Sequence, residues 1–298
     1  MNPQQAPNAH PAAPAWLTAA PTLFLLMWAS GFVFVKLGLR DADPLTFLAL
    51  RYALVVAIQL VAFAWIRPAL PATPRAWGNL IMVGLMLQAG YFACVYLSLN
   101  SGMSASAVSL ITSQQPILVG LLAPLMAHER VGLLRWSGLV LGVGGASLVI
   151  LSGSPAGVVT PLGVFFSLVA LLTLTVGTLW EKRYGQHLHP VATNLVQCAV
   201  ALAVCAPLAI LLEPMRVHWS ASLAGSLLYL ALVNSIIAMT LLLAMIRHGE
   251  ASRISGLFFL VPPATVVIAF VVLGEGIPMA AWPGMVLAVA GIYLVMRR

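Results

Sequence analysis

Apolar residues run along this chain in stretches of about 20, the length an α-helix needs to cross a hydrocarbon core about 30 Å thick. Ten stretches are predicted as spanning helices, at 15–38, 44–66, 77–98, 104–126, 131–151, 160–182, 190–212, 222–246, 251–273 and 278–296. Polar residues gather in the short connections. Pro44, Pro161, Pro190 and Pro278 stand near helix starts, where a missing N–H costs little, and Gly153, Gly157 and Gly249 mark turns. The alternating segments of about ten residues that build a membrane barrel do not occur. The expected fold class is all-α and integral to a membrane.

Composition strengthens that expectation. Of 298 residues, 61% are hydrophobic and 7% charged, against about a quarter charged in soluble domains. Most of the exterior must therefore meet lipid, and a soluble enzyme is excluded. The net charge of +7 is scattered in ones and twos between apolar runs, which does not build a nucleic-acid face. Cys94, Cys198 and Cys205 lie inside the runs without metal-ligand spacing and read as small buried hydrophobes. Residues 1–14, rich in Pro, Ala, Gln and Asn and free of Lys and Arg, read as a disordered tail without a signal-peptide n-region.

Basic residues orient the spans, because short cytoplasmic loops retain positive charge. With the N-terminus inside, Arg67, Arg75, Arg130, Arg135, Lys182, Arg183, Arg247, Arg253, Arg297 and Arg298 are cytoplasmic, whereas Lys36, Arg40 and Arg216 lie outside. Both termini are then cytoplasmic. Arg51 alone falls well inside a span.

The chain also matches itself. At an offset of 146, without gaps, Ala105–Ile150 and Ala251–Met296 share 14 of 46 residues, among them Pro116/Pro262, Glu129/Glu275, Trp136/Trp282 and Gly145/Gly291; chance in so biased a composition gives about 5. The offset also pairs Gly31 with Gly177 and Pro44 with Pro190. Two five-helix repeats follow, at 15–152 and 160–298. Five is odd, so the second copy threads the membrane in the opposite sense, as in secondary transporters whose substrate site lies near the midplane between halves.

The residues that carry these features resemble the EamA-type transporters of the drug/metabolite transporter superfamily. The resemblance rests on Pro44-Leu45-Thr46-Phe47 leading to Arg51-Tyr52, on Ser104-Ala105-Ser106-Ala107-Val108 with Pro116 and Glu129, and on the second-half Pro190, Ala251-Ser252, Pro262 and Glu275. It implies a ten-helix transporter of a bacterial inner membrane with cytoplasmic termini. Within the family, the chain is most similar to exporters of aromatic and other neutral amino acids.

Candidate chemistry is sparse. On the 104–126 span, Ala105, Ser109, Ser113, Pro116 and Gly120, flanked by Ser106 and Thr112, share one helical face. Such a stripe suits helix packing and cavity lining alike. Its repeat places Phe258 and Phe259 opposite Thr112 and Ser113, giving one hydroxylated and one aromatic wall. Arg51 must face protein or water, since a charge at mid-bilayer costs about 2.5 to 3.5 kcal/mol on insertion scales. It serves either as a structural anchor between helices or as a pathway charge, and its repeat position holds Gln197. Trp28, Tyr91, Tyr96 and Trp180 are further pathway candidates, while Trp77, Trp136, Trp219 and Trp282 suit the interfacial belt. Gly138, Gly142, Gly145, Gly284, Ala288 and Gly291 form close-packing seams that serve a monomer or a homodimer.

The expected substrate-binding set is thus Trp28, Tyr91, Ser109, Thr112, Ser113, Trp180, Phe258 and Phe259. No Asp or Glu falls at mid-span, which argues against tight proton coupling. No phosphate-binding Gly-rich loop with Lys is present, so neither ATP nor any other cofactor is expected. The expected function is export or facilitated movement of small amphipathic metabolites, aromatic and neutral amino acids first. Proton-coupled export of other amphipathic compounds is the alternative. A membrane-embedded enzyme is the more distant one, as the histidines fall at loops.

Overall fold

The computed structural model describes residues 16–119, 160–185, 188–247, 260–274 and 282–296, with isolated positions in 122–148 and at 279. The tail 1–14, nearly all of the predicted span 131–151, and the residues Trp136, Glu129, Glu275, Phe258 and Phe259 lie outside the described residues. The described part is helical. We label its helices α1 (Trp16–Gly38), α2 (Pro44–Ile66), α3 (Pro74–Asn100), α4 (Ala105–Thr112), α5 (Pro161–Tyr184), α6 (Pro190–Leu212), α7 (Ala221–Tyr229, Leu230–Ala238 and Met239–Arg247), α8 (Val261–Leu273) and α9 (Trp282–Met296). Among the described residues, six helices, α1, α2, α3, α5, α6 and α7, are long and apolar enough to cross a membrane.

Starts are written in the sequence. Pro44, Pro74, Pro161 and Pro190 open their helices at the first turn, and Thr73, Thr160 and Ser220 accept hydrogen bonds from backbone N–H groups of the turn that follows. Lipid-facing side chains are large and apolar: Val61, Trp65, Leu211 and Val271 are largely exposed, a surface that hydrocarbon solvates best. Polar residues turn inward, among them Arg51, Gln88, Gln197 and Asn234.

Helix pairs follow the offset of 146. α2 packs along α6, its own counterpart, and α4 against α8; α1 packs on α7 and α8 as α5 packs on α3 and α4. Small residues let α6 lie close to α2, with Asn194, Cys198, Ala201, Cys205 and Ala209 buried at helical spacing along it. The two cysteines thus act as small packing residues.

One face of the bundle is well defined. The carboxylate of Glu213 accepts from the N–H groups of Leu45 and Thr46 and from the Thr46 hydroxyl, each at 2.8 Å. Asp43 accepts from the N–H of Arg216 at 2.8 Å, Asp41 accepts from the Ser220 hydroxyl at 2.5 Å, and Ala42 pairs with Val217 in an antiparallel bridge. On the same face Lys36, near the end of α1, donates to the carbonyl of Met103, and Thr160, the cap of α5, donates to that of Ser101. Helix α1 therefore ends on the face where its counterpart α5 begins.

Two details depart from regular helices. The stripe-bearing 104–126 span is broken at Ser113 and Gln114, because Pro116 has no N–H to offer Thr112. Gln114 N–H reaches only to Ile111, and its side-chain amide donates instead to the carbonyl of Leu110. The second departure is a widened π turn in α3 at Gly84–Tyr91 and another in α7 at Leu230–Ala238. Their starts are separated by the repeat offset. In each, a facing helix donates to a carbonyl of the widened segment: Tyr52 to Gln88 at 2.6 Å, and Asn194 to Ser235 at 2.8 Å. Side chains that enter the ladder in this way are a known cause of helix irregularity, and such turns recur at functional sites.

Candidate substrate-binding site

The widened turns frame a small cavity between the halves. It is lined by Trp28, Gly31, Phe32 and Val35 of α1, Arg51 of α2, Tyr91, Phe92 and Val95 of α3, and Leu230 and Asn234 of α7, with room for about one water molecule. The aromatic wall is continuous. Trp28 stacks on Tyr91 at 6.0 Å with a 14° tilt and meets Phe92 at 6.0 Å, and Tyr91 meets Phe92 edge-on at 4.8 Å.

Arg51 closes the opposite side. Fully buried, it donates from Nε to the Ser235 hydroxyl at 2.8 Å, from Nη2 to Asn234 Oδ1 at 2.9 Å and from Nη1 to the Tyr96 hydroxyl at 3.1 Å. Its guanidinium also sits 4.4 Å from the Phe92 ring centre, close enough for a cation–π attraction. Among the described residues, two of the guanidinium's five N–H groups have no such acceptor. Asn234 is in turn held by donating Nδ2 to the carbonyl of Met27 at 3.1 Å. Gly31 makes room for it, since a Cβ there would come within 2.6 Å of the Asn234 amide nitrogen. Arg51 and Asn234 thus join the two halves at this point.

Of the residues expected at the site, the structure brings Trp28, Tyr91 and Arg51 together around the cavity. The Tyr91 hydroxyl has the Trp28 indole and the Thr112 hydroxyl as polar neighbours. Ser109, Thr112 and Ser113 are buried on α4 and its turn, but each hydroxyl donates to a carbonyl of its own helix: Ser109 to Ser106, Thr112 to Val108 and Ser113 to Leu110, at 2.8 to 2.9 Å. Their lone pairs remain to accept. Trp180 stands apart from the lining, packed against Tyr184 at 4.9 Å. Asn234, Ser235 and Phe92 complete the site and were missing from the sequence-based set. The offset held the signal for Asn234: it pairs with Gln88, two amides at mid-span. Among the described residues no group of His, Cys, Asp and Glu is arranged to hold a metal ion.

With that geometry in view, similarity to known proteins becomes informative. The profile of the EamA-like transporter family matches twice, at residues 17–151 and 161–297. This chain belongs to the EamA-like transporter family. Among its relatives, a protein of Streptantibioticus cattleyicolor named a probable terminal-alkyne amino-acid exporter is 30% identical, over 94% of this chain and 93% of its own length. A probable amino-acid metabolite efflux pump of Salmonella typhimurium is 29% identical over 91% of this chain and 92% of its own, and one of the same name from Escherichia coli is 26% identical. A solved crystal structure at 17% identity superposes with a TM-score of 0.66, covering 95% of this chain and 96% of that one, which supports the fold. The chain is therefore a multi-pass membrane transporter, and the EamA repeats account for the doubled pattern of packing.

Proposed function

We propose that this EamA member is a secondary exporter or facilitator of small amphipathic metabolites, neutral and aromatic amino acids foremost, working by alternating access without ATP or catalysis. The single observation that carries the reading is the aromatic and arginine-lined cavity where the halves meet, in a chain whose relatives are named amino-acid exporters. Trp28, Tyr91 and Phe92 supply apolar surface for a side chain, with stacking adding about 0.5 to 1.5 kcal/mol. Thr112 of α4 neighbours the Tyr91 hydroxyl, and the proposed binding set also includes Ser109 and Ser113 and, outside the described residues, Phe258 and Phe259. The cavity as seen is too small for an amino acid, so binding requires the halves to part, as rocking of one repeat against the other provides.

The topology is ten helices in two inverted five-helix repeats, in a bacterial inner membrane with both termini cytoplasmic, as a monomer or homodimer. Support comes from α1 ending on the face where α5 begins and from the charge count. The face held by Glu213 and the Ala42–Val217 bridge is then the outer one. Counterflow in proteoliposomes with a panel of labelled amino acids tests the reading: saturable exchange of large neutral amino acids, indifferent to an imposed pH gradient, is expected. Flux that rises steeply with a proton gradient would replace the uncoupled mechanism with a coupled one, and absence of amino-acid exchange would overturn the substrate class.

A further inference from the structure

The contacts of Arg51 form a recognisable shape. Nε and Nη2 lie along one edge of the guanidinium, the fork that receives both oxygens of a carboxylate side by side. In this structure that edge is filled by two neutral oxygens from neighbouring residues of the widened α7 turn, Ser235 Oγ at 2.8 Å and Asn234 Oδ1 at 2.9 Å. A widened turn presents two successive side chains to one point. Both acceptors belong to the second repeat and the arginine to the first, so the pair of bonds must break when the halves separate. Among the described residues no carboxylate lies at its side, and an arginine buried in this way is a charge seeking an anion.

We propose that the Arg51 fork is the carboxylate-binding subsite of the transporter, and that Ser235 and Asn234 occupy it as neutral stand-ins while the cavity is closed. The inference rests on the reading that this cavity carries amino acids and adds what recognises them. A carboxylate on the fork adds the attraction of opposite charges to two parallel hydrogen bonds, which the neutral oxygens it displaces cannot supply. In the closed carrier Ser235 and Asn234 hydrogen-bond the guanidinium without neutralising it, and a carboxylate ligand outcompetes these internal acceptors once the halves part. The α4 hydroxyls, whose hydrogens are already given to their own helix, can only accept, which suits an ammonium group rather than a carboxylate. Carboxylate at Arg51, ammonium toward α4 and side chain against Trp28, Tyr91 and Phe92 together orient an amino acid.

The test needs no variant at first. Phenylalanine, 3-phenylpropionate, which lacks the amine, and phenethylamine, which lacks the carboxylate, are compared as counterflow substrates and as ligands raising the melting temperature of the purified protein. Phenethylamine is expected to act at least about tenfold more weakly than either carboxylate. Arg51→Lys, which keeps the charge and loses the fork, is expected to erase most of that discrimination. Asn234→Asp, which tethers a carboxylate at the fork, is expected to weaken phenylalanine by at least about tenfold. Phenethylamine equal to phenylalanine in the wild type overturns the subsite and leaves amino-acid transport standing. Exchange of 3-phenylpropionate without exchange of any amino acid upholds the subsite and overturns the substrate reading. No response to any carboxylate overturns both.

Discussion

Arg51 and Gln197 occupy the same place in two copies of one helix, yet their surroundings differ completely. Arg51 faces the widened turn of α7 and finds a partner on each of its three nitrogens. Gln197 faces the widened turn of α3, where a Cβ on Gly84 would lie 3.0 Å from its Cα, and among the described residues neither polar atom of its buried amide has a hydrogen-bond partner. Across from it, Gln88, the counterpart of Asn234, leaves its amide nitrogen equally unpaired. The backbone device, a helix facing a π turn, survives in both copies. Only one copy carries a satisfied polar joint. Duplication thus preserved the frame, and the sequence specialised one side of it.

Replacing Arg51 should therefore have the largest effect. Arg51→Met strands the acceptors of Ser235, Asn234 and Tyr96 in an apolar interior, and we expect a loss of about 1 to 3 kcal/mol for each stranded group, read as a fall in detergent-stable yield and melting temperature together with loss of counterflow. Next comes Gly31→Ala. Its methyl group would push the Asn234 amide aside, and a cost of about 1 to 3 kcal/mol is expected, as for overpacking, with weakened exchange in a protein that still folds. Glu213→Ala removes three bonds to the start of α2, and about 1 to 2 kcal/mol is expected from the lost cap, seen in the thermal midpoint. The smallest effect belongs to the other copy. Gln197→Leu replaces an unpaired buried amide with an apolar group of like size, so stability should stay within about 1 kcal/mol of wild type or rise. A Gln197→Leu variant as damaged as Arg51→Met would break the contrast between the copies.

The same asymmetry explains what could be read beforehand. Helix limits at 44–66 and 190–212 coincide with the structure because prolines fix their starts and the apolar run sets their length. Arg51 was visible as the one charge well inside a span, and Trp28 and Tyr91 as amphipathic rings at depth. The widened turns were not visible. They arise where Tyr52 and Asn194 donate to carbonyls of a facing helix, a tertiary event with no local signature. For the same reason Asn234 and Ser235 looked like ordinary mid-helix polar residues, and their role depends on a helix 183 and 184 positions away. The break at Ser113 and Gln114 was legible in principle, since Pro116 announces it.

Separation of the halves during transport is the central claim, and the bridge between Ala42 and Val217 offers the most direct way to test it. Directly opposed residues of an antiparallel pair lie within reach of a disulfide. In the double variant Ala42→Cys with Val217→Cys, oxidation should pin the outer face shut. Counterflow of phenylalanine is expected to stop on oxidation and return on reduction, while either single variant exchanges normally. Exchange at the wild-type rate by the cross-linked protein would contradict the account.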